Sequence, residues 1–230
     1  TDSNSNFLES FTSNNLSHDD KLNIGTDLGL RTEFDNGSAL SFNGHYTSYN
    51  YNRDQNVFQN NLTGNNSEFN TLANQDTNIY TAKADYSLPI NETSSFDTGV
   101  KFSNVNTDSD ITLREIINGV EVINIANSNA FDYDEKVIAA YANYSKSWEN
   151  WDLIIGLRAE QTNVDGFSPT LNQTNTQDYF KWFPNASISH SFSDNFSLYG
   201  NYKRSITRPN YTLLNPFTFF LNENIVVVGN

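Results

Sequence analysis

Apolar and polar residues alternate along eight stretches of this chain, with the period of two that is typical of a β-strand with one apolar face. In the clearest stretches, apolar residues such as Leu28, Phe42, Ala84, Leu157 and Ile188 have polar or glycine neighbours on both sides. The predicted strands cover residues 22–34, 38–49, 78–88, 95–106, 135–148, 151–164, 179–192 and 196–208. The fifth is ambiguous, because Ala, Tyr and Val occupy both of its parities. The pattern predicts an all-β fold.

The connections between these predicted strands are alternately short and long. The short ones lie at residues 35–37, 89–95, 149–150 and 193–195, and the long polar ones at 50–76, 107–129 and 165–178. Compact soluble domains rarely keep such long loops, whereas outer-membrane barrels combine short periplasmic turns with long extracellular loops. We therefore predict an antiparallel up-and-down transmembrane β-barrel segment of about eight strands. As a fragment spanning residues 1–230, it would form a curved open sheet.

Aromatic residues collect beside the predicted short turns, where a barrel has its periplasmic aromatic girdle. This predicted inner girdle comprises Phe34, Phe96, Trp148, Trp151, Phe192 and Phe196. At the far ends of the strands, Tyr46, Tyr80 and Trp182 are predicted to form the outer girdle.

Basic residues follow the alternation as well. Six of them fall on the polar parity: Arg31, Lys83, Lys101, Arg158, Lys181 and Lys203. A basic side chain facing lipid at the midplane costs about 2–4 kcal/mol, so these residues are expected to face the lumen. Arg204 has lipid parity in simple register, which predicts either a bulge in the last strand or a side chain at the outer headgroup level.

Composition narrows the class further. The mean hydropathy is −0.59 and no stretch approaches the roughly 20 apolar residues of a membrane helix, so a helical membrane protein is excluded. Cysteine is absent, so disulfides do not hold the fold together. The formal net charge of −14 argues against nucleic acid as a partner.

Several short stretches resemble the barrel region of TonB-dependent receptors. They are Tyr80-Thr81-Ala82-Lys83-Ala84-Asp85-Tyr86, Gly99-Val100-Lys101-Phe102-Ser103, Ala140-Tyr141-Ala142-Asn143-Tyr144 and Gly156-Leu157-Arg158-Ala159-Glu160-Gln161-Thr162. The closest resemblance is C-terminal, in the motif residues Arg204, Thr207, Arg208, Pro209, Tyr211, Asn215, Pro216 and Phe217. Proline cannot continue a central strand, so Pro209 is expected to end the eighth strand.

The resemblance implies a barrel of about 22 strands, closed by a plug domain, that imports a scarce nutrient with energy from the TonB system. It implies as partners outer-membrane lipid and, outside this segment, the receptor's own plug domain and TonB, with a surface lipoprotein as an optional further partner. Solute contacts in such receptors come from extracellular loops and the plug. The candidate loop aromatics here are Tyr49, Tyr51, Phe58, Phe167 and Tyr179.

The sequence supplies no pattern for bond chemistry. The three histidines are scattered; His18 lies beside Asp19 and Asp20, which is a weak candidate for a cation site and more typical of a solvated loop. We predict no catalytic residue, metal or cofactor, and no enzyme activity. Two other readings stay open: a surface-exposed all-β adhesion module, and a small complete outer-membrane barrel or barrel enzyme.

Overall fold

The computed structural model describes residues 11–61, 64 and 66–208, and the backbone alone of 218–222 and 225–228. Almost all of the described residues lie in β-strands, and one short 3-10 helix covers Ile125–Asn127. The strands are β1 (Phe11–Glu33), β2 (Ala39–Asn61), β3 (Ser67–Asn91), β4 (Ser94–Ile117), β5 (Val120–Ile123), β6 (Asn129–Trp148), β7 (Trp151–Ser168), β8 (Gln173–Ser193), β9 (Phe196–Lys203), β10 (Thr218–Asn222) and β11 (Ile225–Val228).

The strands pair in chain order, which confirms the predicted up-and-down antiparallel topology. The main sheet has the order β1-β2-β3-β4-β6-β7-β8-β9, β5 pairs with the end of β4, and β10 and β11 form a separate hairpin. Within the described residues β1 pairs only with β2 and β9 only with β8, so this curved sheet is open. No helical segment in the described part of the chain is long and apolar enough to cross a membrane.

The predicted long loops are wrong: those stretches are strands. β2 and β3 stay in register from Ala39 opposite Ser87 to Gln59 opposite Ser67, so only residues 62–66 connect them. Likewise β4 continues to Ile117, and residues 169–172 alone separate β7 from β8. Asparagine and aspartate are uncommon in strands, and they fill these stretches, so the sequence pattern favoured loops there.

Strand bounds differ elsewhere too. β1 begins at Phe11 rather than residue 22, and β9 ends at Lys203 rather than residue 208. Between residues 107 and 129 the chain forms a hairpin of β4 with β5, turning at Asn118 and Gly119, which have φ angles of 52° and 76°. A two-residue Asn-Gly turn with positive φ is the connection favoured in hairpins.

The short turns are confirmed at the other end of the sheet. Gly37 has a φ of 77° in the turn between β1 and β2, a left-handed conformation that glycine adopts without strain. Glu149 and Asn150 connect β6 to β7, with a φ of 48° at Glu149. The connection between β3 and β4 shrinks to residues 92 and 93, because β3 continues to Asn91.

The two faces of the sheet differ in burial. The ten hydrophobic residues that are buried in the described part of the chain all lie on one face, where the side chains of a curved sheet converge. We call this the concave face. On the opposite, convex face Leu28, Phe42, Leu157 and Ile188 are 65%, 50%, 45% and 44% exposed, and no second sheet or helix covers them within the described residues.

Candidate functional site

The convex face carries a belt of apolar side chains next to the short turns. We call it the lipid band; along β7 it consists of Trp151, Leu153, Ile155, Leu157 and Ala159. These positions lie within nine consecutive residues, and a tilted transmembrane β-strand needs about 9–11 residues to cross the hydrocarbon layer. The neighbouring strand β6 places Ala140 beside Ala159 and Ala142 beside Leu157, so the belt continues from β7 onto β6.

Aromatic rings mark both edges of the lipid band. At the short-turn edge Trp148, Trp151, His190, Phe192 and Phe196 form a row in which successive ring centroids lie 6.3, 4.1, 4.4 and 5.4 Å apart. At the opposite edge the rings of Tyr46 and Tyr80 lie 4.9 Å apart, and those of Phe180 and Trp182 5.1 Å. Both girdles therefore lie where the sequence predicted them, and His190 completes the inner one.

Beyond the outer girdle the convex face becomes polar. We call this part of β2–β8 the upper wall. Its convex residues are mostly Asn and Asp, and their side chains pair across strands. Asn70 Nδ2 lies 2.6 Å from Asp54 Oδ1, Asn163 Nδ2 lies 2.9 Å from Asp178 Oδ2, and Asn106 donates to Asp134. Such amide–carboxylate ladders suit water and exclude hydrocarbon, so the bilayer ends at the outer girdle.

At the level of the outer girdle the concave face changes from polar to apolar. In the upper wall it carries two buried apolar clusters, one of Val57, Phe69 and Leu113, and one of Ala73, Ile111, Phe131, Tyr133 and Val164. A wall that leaves the membrane loses its contact with lipid, so an apolar core on the inner face stabilises it instead. At bilayer depth, by contrast, the concave face is polar.

Charged residues line that concave face at bilayer depth. One transverse row runs Asn43, Lys83, Lys101, Ala139, Glu160 and Lys181 on successive strands, and the row below it includes Asp85, Tyr141 and Arg158. Lys83 Nζ lies 2.8 Å from Asp85 Oδ2. The ring of Tyr141 lies between Lys83 and Arg158, 5.7 and 5.9 Å from its centroid, and its hydroxyl donates to Asp85. The predicted lumen position of these basic residues is confirmed.

Gly99 leaves the space that the ring of Tyr141 occupies between Lys83 and Arg158. A Cβ added there would lie 2.5 Å from the hydroxyl of Tyr141 and 2.7 Å from the carbonyl oxygen of Ala84. We expect Gly99→Ala to lower the free energy of unfolding by about 1–3 kcal/mol, because the ring and the backbone would have to shift. Gly44→Ala is the matched control, since a Cβ at Gly44 would meet nothing within 4 Å. Denaturant unfolding in micelles measures both, and equal stability of the two variants would contradict the packing described.

Glu160 is the most buried charge on the lumen face, with 5% of its surface exposed. Arg158 Nη2 lies 2.7 Å from Glu160 Oε2, and the guanidinium of Arg208 pairs with Oε1. Arg208 also donates to the hydroxyls of Tyr179 and Thr162, at 3.1 and 3.2 Å. The segment after β9 thus turns into the lumen. Sequence analysis assigned no role to Glu160, although it shares the polar parity of Arg158.

The C-terminal motif is only partly described. The backbone N–H of Arg204 donates to the carbonyl of Pro184 at 3.1 Å, just after β9 ends, and a register shift lies between Ser191 and Ser193 at the turn. Thr207 lies in the irregular segment that leads to Arg208. Pro209, Tyr211, Asn215, Pro216 and Phe217 lie outside the described residues, so the predicted end of the eighth strand at Pro209 stays a prediction.

The five candidate solute-contacting aromatics do not lie in loops, and they do not form one site. All five are strand residues of the upper wall or its lower edge. Tyr49, Tyr51 and Tyr179 lie on the concave face, whereas Phe58 and Phe167 lie on the convex face. The rings of Tyr49 and Tyr51 stack at 6.5 Å, and Tyr179 accepts a hydrogen bond from Arg208.

Tyr51 belongs to a charged cluster between β1 and β2. Lys21 Nζ and the Arg53 guanidinium lie 5.0 and 5.6 Å from its ring centroid. Arg53 donates to both oxygens of Asp19, at 2.7 and 2.8 Å, and these bonds hold the pKa of Asp19 well below its ordinary value. Burial raises the pKa of Tyr51. Carboxylate and guanidinium together join the upper parts of the two strands.

The candidate cation site at His18 is wrong in its geometry. His18 lies in β1 rather than a loop, with Nε2 3.5 Å from Asp20 Oδ1, while Asp19 points to the opposite face and pairs with Arg53. His45 lies on the lumen face, with Nδ1 2.7 Å from Asp27 Oδ1 and Nε2 2.7 Å from Thr47 Oγ1. Among the described residues no three His, Asp or Glu side chains converge as metal ligands would.

A comparison with known families decides the class. Residues 32–230 match the outer membrane protein beta-barrel family. The chain belongs to this family. As a member of it, the chain is a protein of the outer membrane, and the lipid band is the part of its barrel wall that contacts lipid.

Several solved outer-membrane proteins are similar to this barrel protein at low identity. They include the ferric citrate transporter FecA in its unliganded form (14% identity, 71% of this chain and 27% of that chain, TM-score 0.46). The ferric yersiniabactin uptake receptor FyuA from Yersinia pestis (13%, 70% and 27%, 0.36) and the siderophore receptor PiuA from Acinetobacter baumannii (12%, 74% and 33%, 0.45) are others. The barrel protein spans a third or less of each. No curated protein matches it.

Proposed function

We propose that this chain forms part of the wall of an outer-membrane receptor that takes up a scarce nutrient, such as a siderophore, a glycan or a peptide, with energy supplied through TonB. The observation that carries the proposal is the reversal of both faces of the sheet at the outer girdle. Below the girdle the wall is apolar outside and charged inside, and above it the wall is polar outside and apolar inside. Such a wall faces a polar lumen at bilayer depth and continues beyond the membrane as a sheet with a packed inner face.

Strand length supports a receptor over a minimal barrel. A transmembrane β-strand needs about 9–11 residues. β2, β3 and β4 have 23, 25 and 24, so half of each projects above the bilayer. A tall extracellular wall adds surface for capturing a solute without adding membrane area. Partners in this proposal are the outer-membrane lipid, a plug domain and TonB, with a surface lipoprotein as a further one.

The open sheet favours a larger barrel over a small complete one. In a closed eight-stranded barrel the first strand pairs with the last, whereas β1 and β9 leave their outer edges unpaired within the described residues. Unpaired backbone groups cannot face hydrocarbon. We infer that further strands pair with both edges. The adhesion reading is less favoured, since a soluble module would cover its apolar face, and the lipid band is uncovered.

The experiment is a genetic one in the native host. Deletion of the gene should abolish growth on one limiting nutrient from a panel of ferric siderophores, oligosaccharides and peptides, and removal of TonB should reproduce the loss. Restoring the intact gene should restore uptake of that radiolabelled nutrient only when TonB is present. Uptake that is unchanged in the deletion strain, or uptake through this protein without TonB, would overturn the proposal. Loss of attachment to surfaces with normal uptake would favour the adhesion reading.

A further inference from the structure

A small cavity opens at the extracellular end of the upper wall, where β3 begins and β4 ends. Its volume is about 320 Å³. Its apolar lining comes from Phe69, Leu113, Ile116 and Ile117, and Glu115, the register partner of Phe69, lies on the same face as Phe69. We call it the mouth pocket. Phe69 and Leu113 are almost fully buried, whereas Ile117 is 49% exposed, so the pocket is apolar at its base and open to solvent.

Local structure holds the carboxylate of Glu115 in place. Asn124 Nδ2 donates to Glu115 Oε1 at 2.6 Å. Asn124 is itself fixed, because its side-chain oxygen caps the 3-10 helix by accepting from the N–H of Asn127 at 3.1 Å. Arg114, the neighbour of Glu115, has the opposite parity and lies 3.9 Å from Glu121. The arginine is therefore turned away from the pocket and pairs with Glu121 instead of Glu115.

We propose that the mouth pocket binds a small organic cation that carries an apolar group. The apolar base would accept the apolar group, and the carboxylate of Glu115 would pair with the cation. Among the described residues that line the cavity, none is Lys, Arg or His. The net charge of −14 also favours the approach of cations to the molecule as a whole. The inference rests on the proposed function, because it names the chemical class of the solute that the receptor captures.

The test compares two probes of the same shape and opposite charge, 4-phenylbutylammonium and 4-phenylbutyrate. Calorimetry on the full receptor in micelles, after subtraction of a micelle blank, should detect binding of the cation alone. Glu115→Gln should weaken that binding about tenfold, as expected for the loss of one charge-assisted contact. Glu92→Gln removes a carboxylate from the turn between β3 and β4 at the opposite end, and should bind as the unaltered protein does.

Heat-modifiable gel migration verifies that each variant is folded. Equal binding of the two probes, no binding of the cation, or an unchanged affinity in folded Glu115→Gln would each overturn the proposal. The binding measurement needs neither TonB nor a living cell. A failure there leaves the uptake experiment intact, and a failure of TonB-dependent uptake leaves the measured binding intact.

Discussion

Replacing Ala84 by arginine is expected to lower the free energy of unfolding in a lipid bilayer by about 2–4 kcal/mol. Ala84 lies in the lipid band opposite Phe42 and Val100, far from either girdle, so a guanidinium there cannot reach the headgroups without distortion. The cost arises from removing the charge from water. It should be accompanied by a smaller fraction of folded protein after insertion into vesicles.

The matched control is Asn43→Arg, one residue beyond the register partner of Ala84 and on the lumen face. Its side chain is exposed and lies in the row of Lys83 and Lys101, where basic residues are already accommodated. We expect a change within about 1 kcal/mol, because an exposed charge keeps its water. Urea unfolding of both variants in vesicles measures the difference. Equal costs at the two positions would contradict the assignment of the faces.

The second large effect is expected at Glu160. Glu160→Gln should lower the free energy of unfolding by about 3 kcal/mol, because it leaves the guanidinium groups of Arg158 and Arg208 without their buried carboxylate. Arg208→Ala should cost less, since Glu160 would keep Arg158. Both variants should also loosen the segment that enters the lumen after β9, which amide exchange of Arg204 can report.

Glu33 supplies the control from the same face. Arg31 and Glu33 repeat the spacing of Arg158 and Glu160, and Arg31 Nη2 lies 3.0 Å from Glu33 Oε1. Their side chains are 64% and 71% exposed, against 6% for Glu160. Because an exposed pair contributes at most about 1 kcal/mol, Glu33→Gln should be nearly neutral. A Glu160→Gln protein as stable as Glu33→Gln would show that burial does not strengthen the inner pair.

The fold was predictable from sequence in the parts of the strands that cross the membrane. Leu28, Phe42, Ala84 and Leu157 alternate with polar neighbours because one face meets hydrocarbon and the other water, and the period of two fixes which side chains share a face. The aromatic girdles also follow from the contact with the membrane, whereas the turn at Gly37 follows from the ability of glycine to adopt a positive φ. Registers such as Phe42 opposite Ala84 then result from short turns and the alternating pattern.

The upper wall was not predictable in the same way. There the outer face is Asn and Asp, and the apolar residues move to the inner face, so that Val57 and Phe69 reverse the parity set by Phe42 and Ala84. A strand inferred from apolar residues at one parity is therefore predicted to end where the apolar residues change parity. The hairpin at Asn118-Gly119 was detectable, since an Asn-Gly pair between β-branched runs is a strong hairpin signal.

The candidate site was the least predictable part. Tyr51 and Phe58 both belong to β2, so their difference in parity puts them on opposite faces, but the sequence did not show that this stretch is a strand. The partnership of Glu160 with Arg208 joins residues on β7 and after β9, and it depends on the chain leaving the sheet at Lys203. Neither the Glu160–Arg208 pair nor the end of β9 at Lys203 has a local sequence signal, because both follow from packing inside the lumen.

The account depends on which side chains touch lipid, and site-directed spin labelling measures this directly. The chain has no cysteine, so single Cys variants need no altered background. Labels at Ala82, Ala84 and Val100 should relax with oxygen dissolved in the bilayer, and labels at Thr81, Lys83 and Lys101 with a water-soluble nickel chelate. A label at Asn52, above the outer girdle, should respond to the chelate although its parity is that of Phe42. Accessibility to oxygen that is equal at the two parities, or protection of Ala84 and Val100 from both reagents, would contradict the barrel wall described.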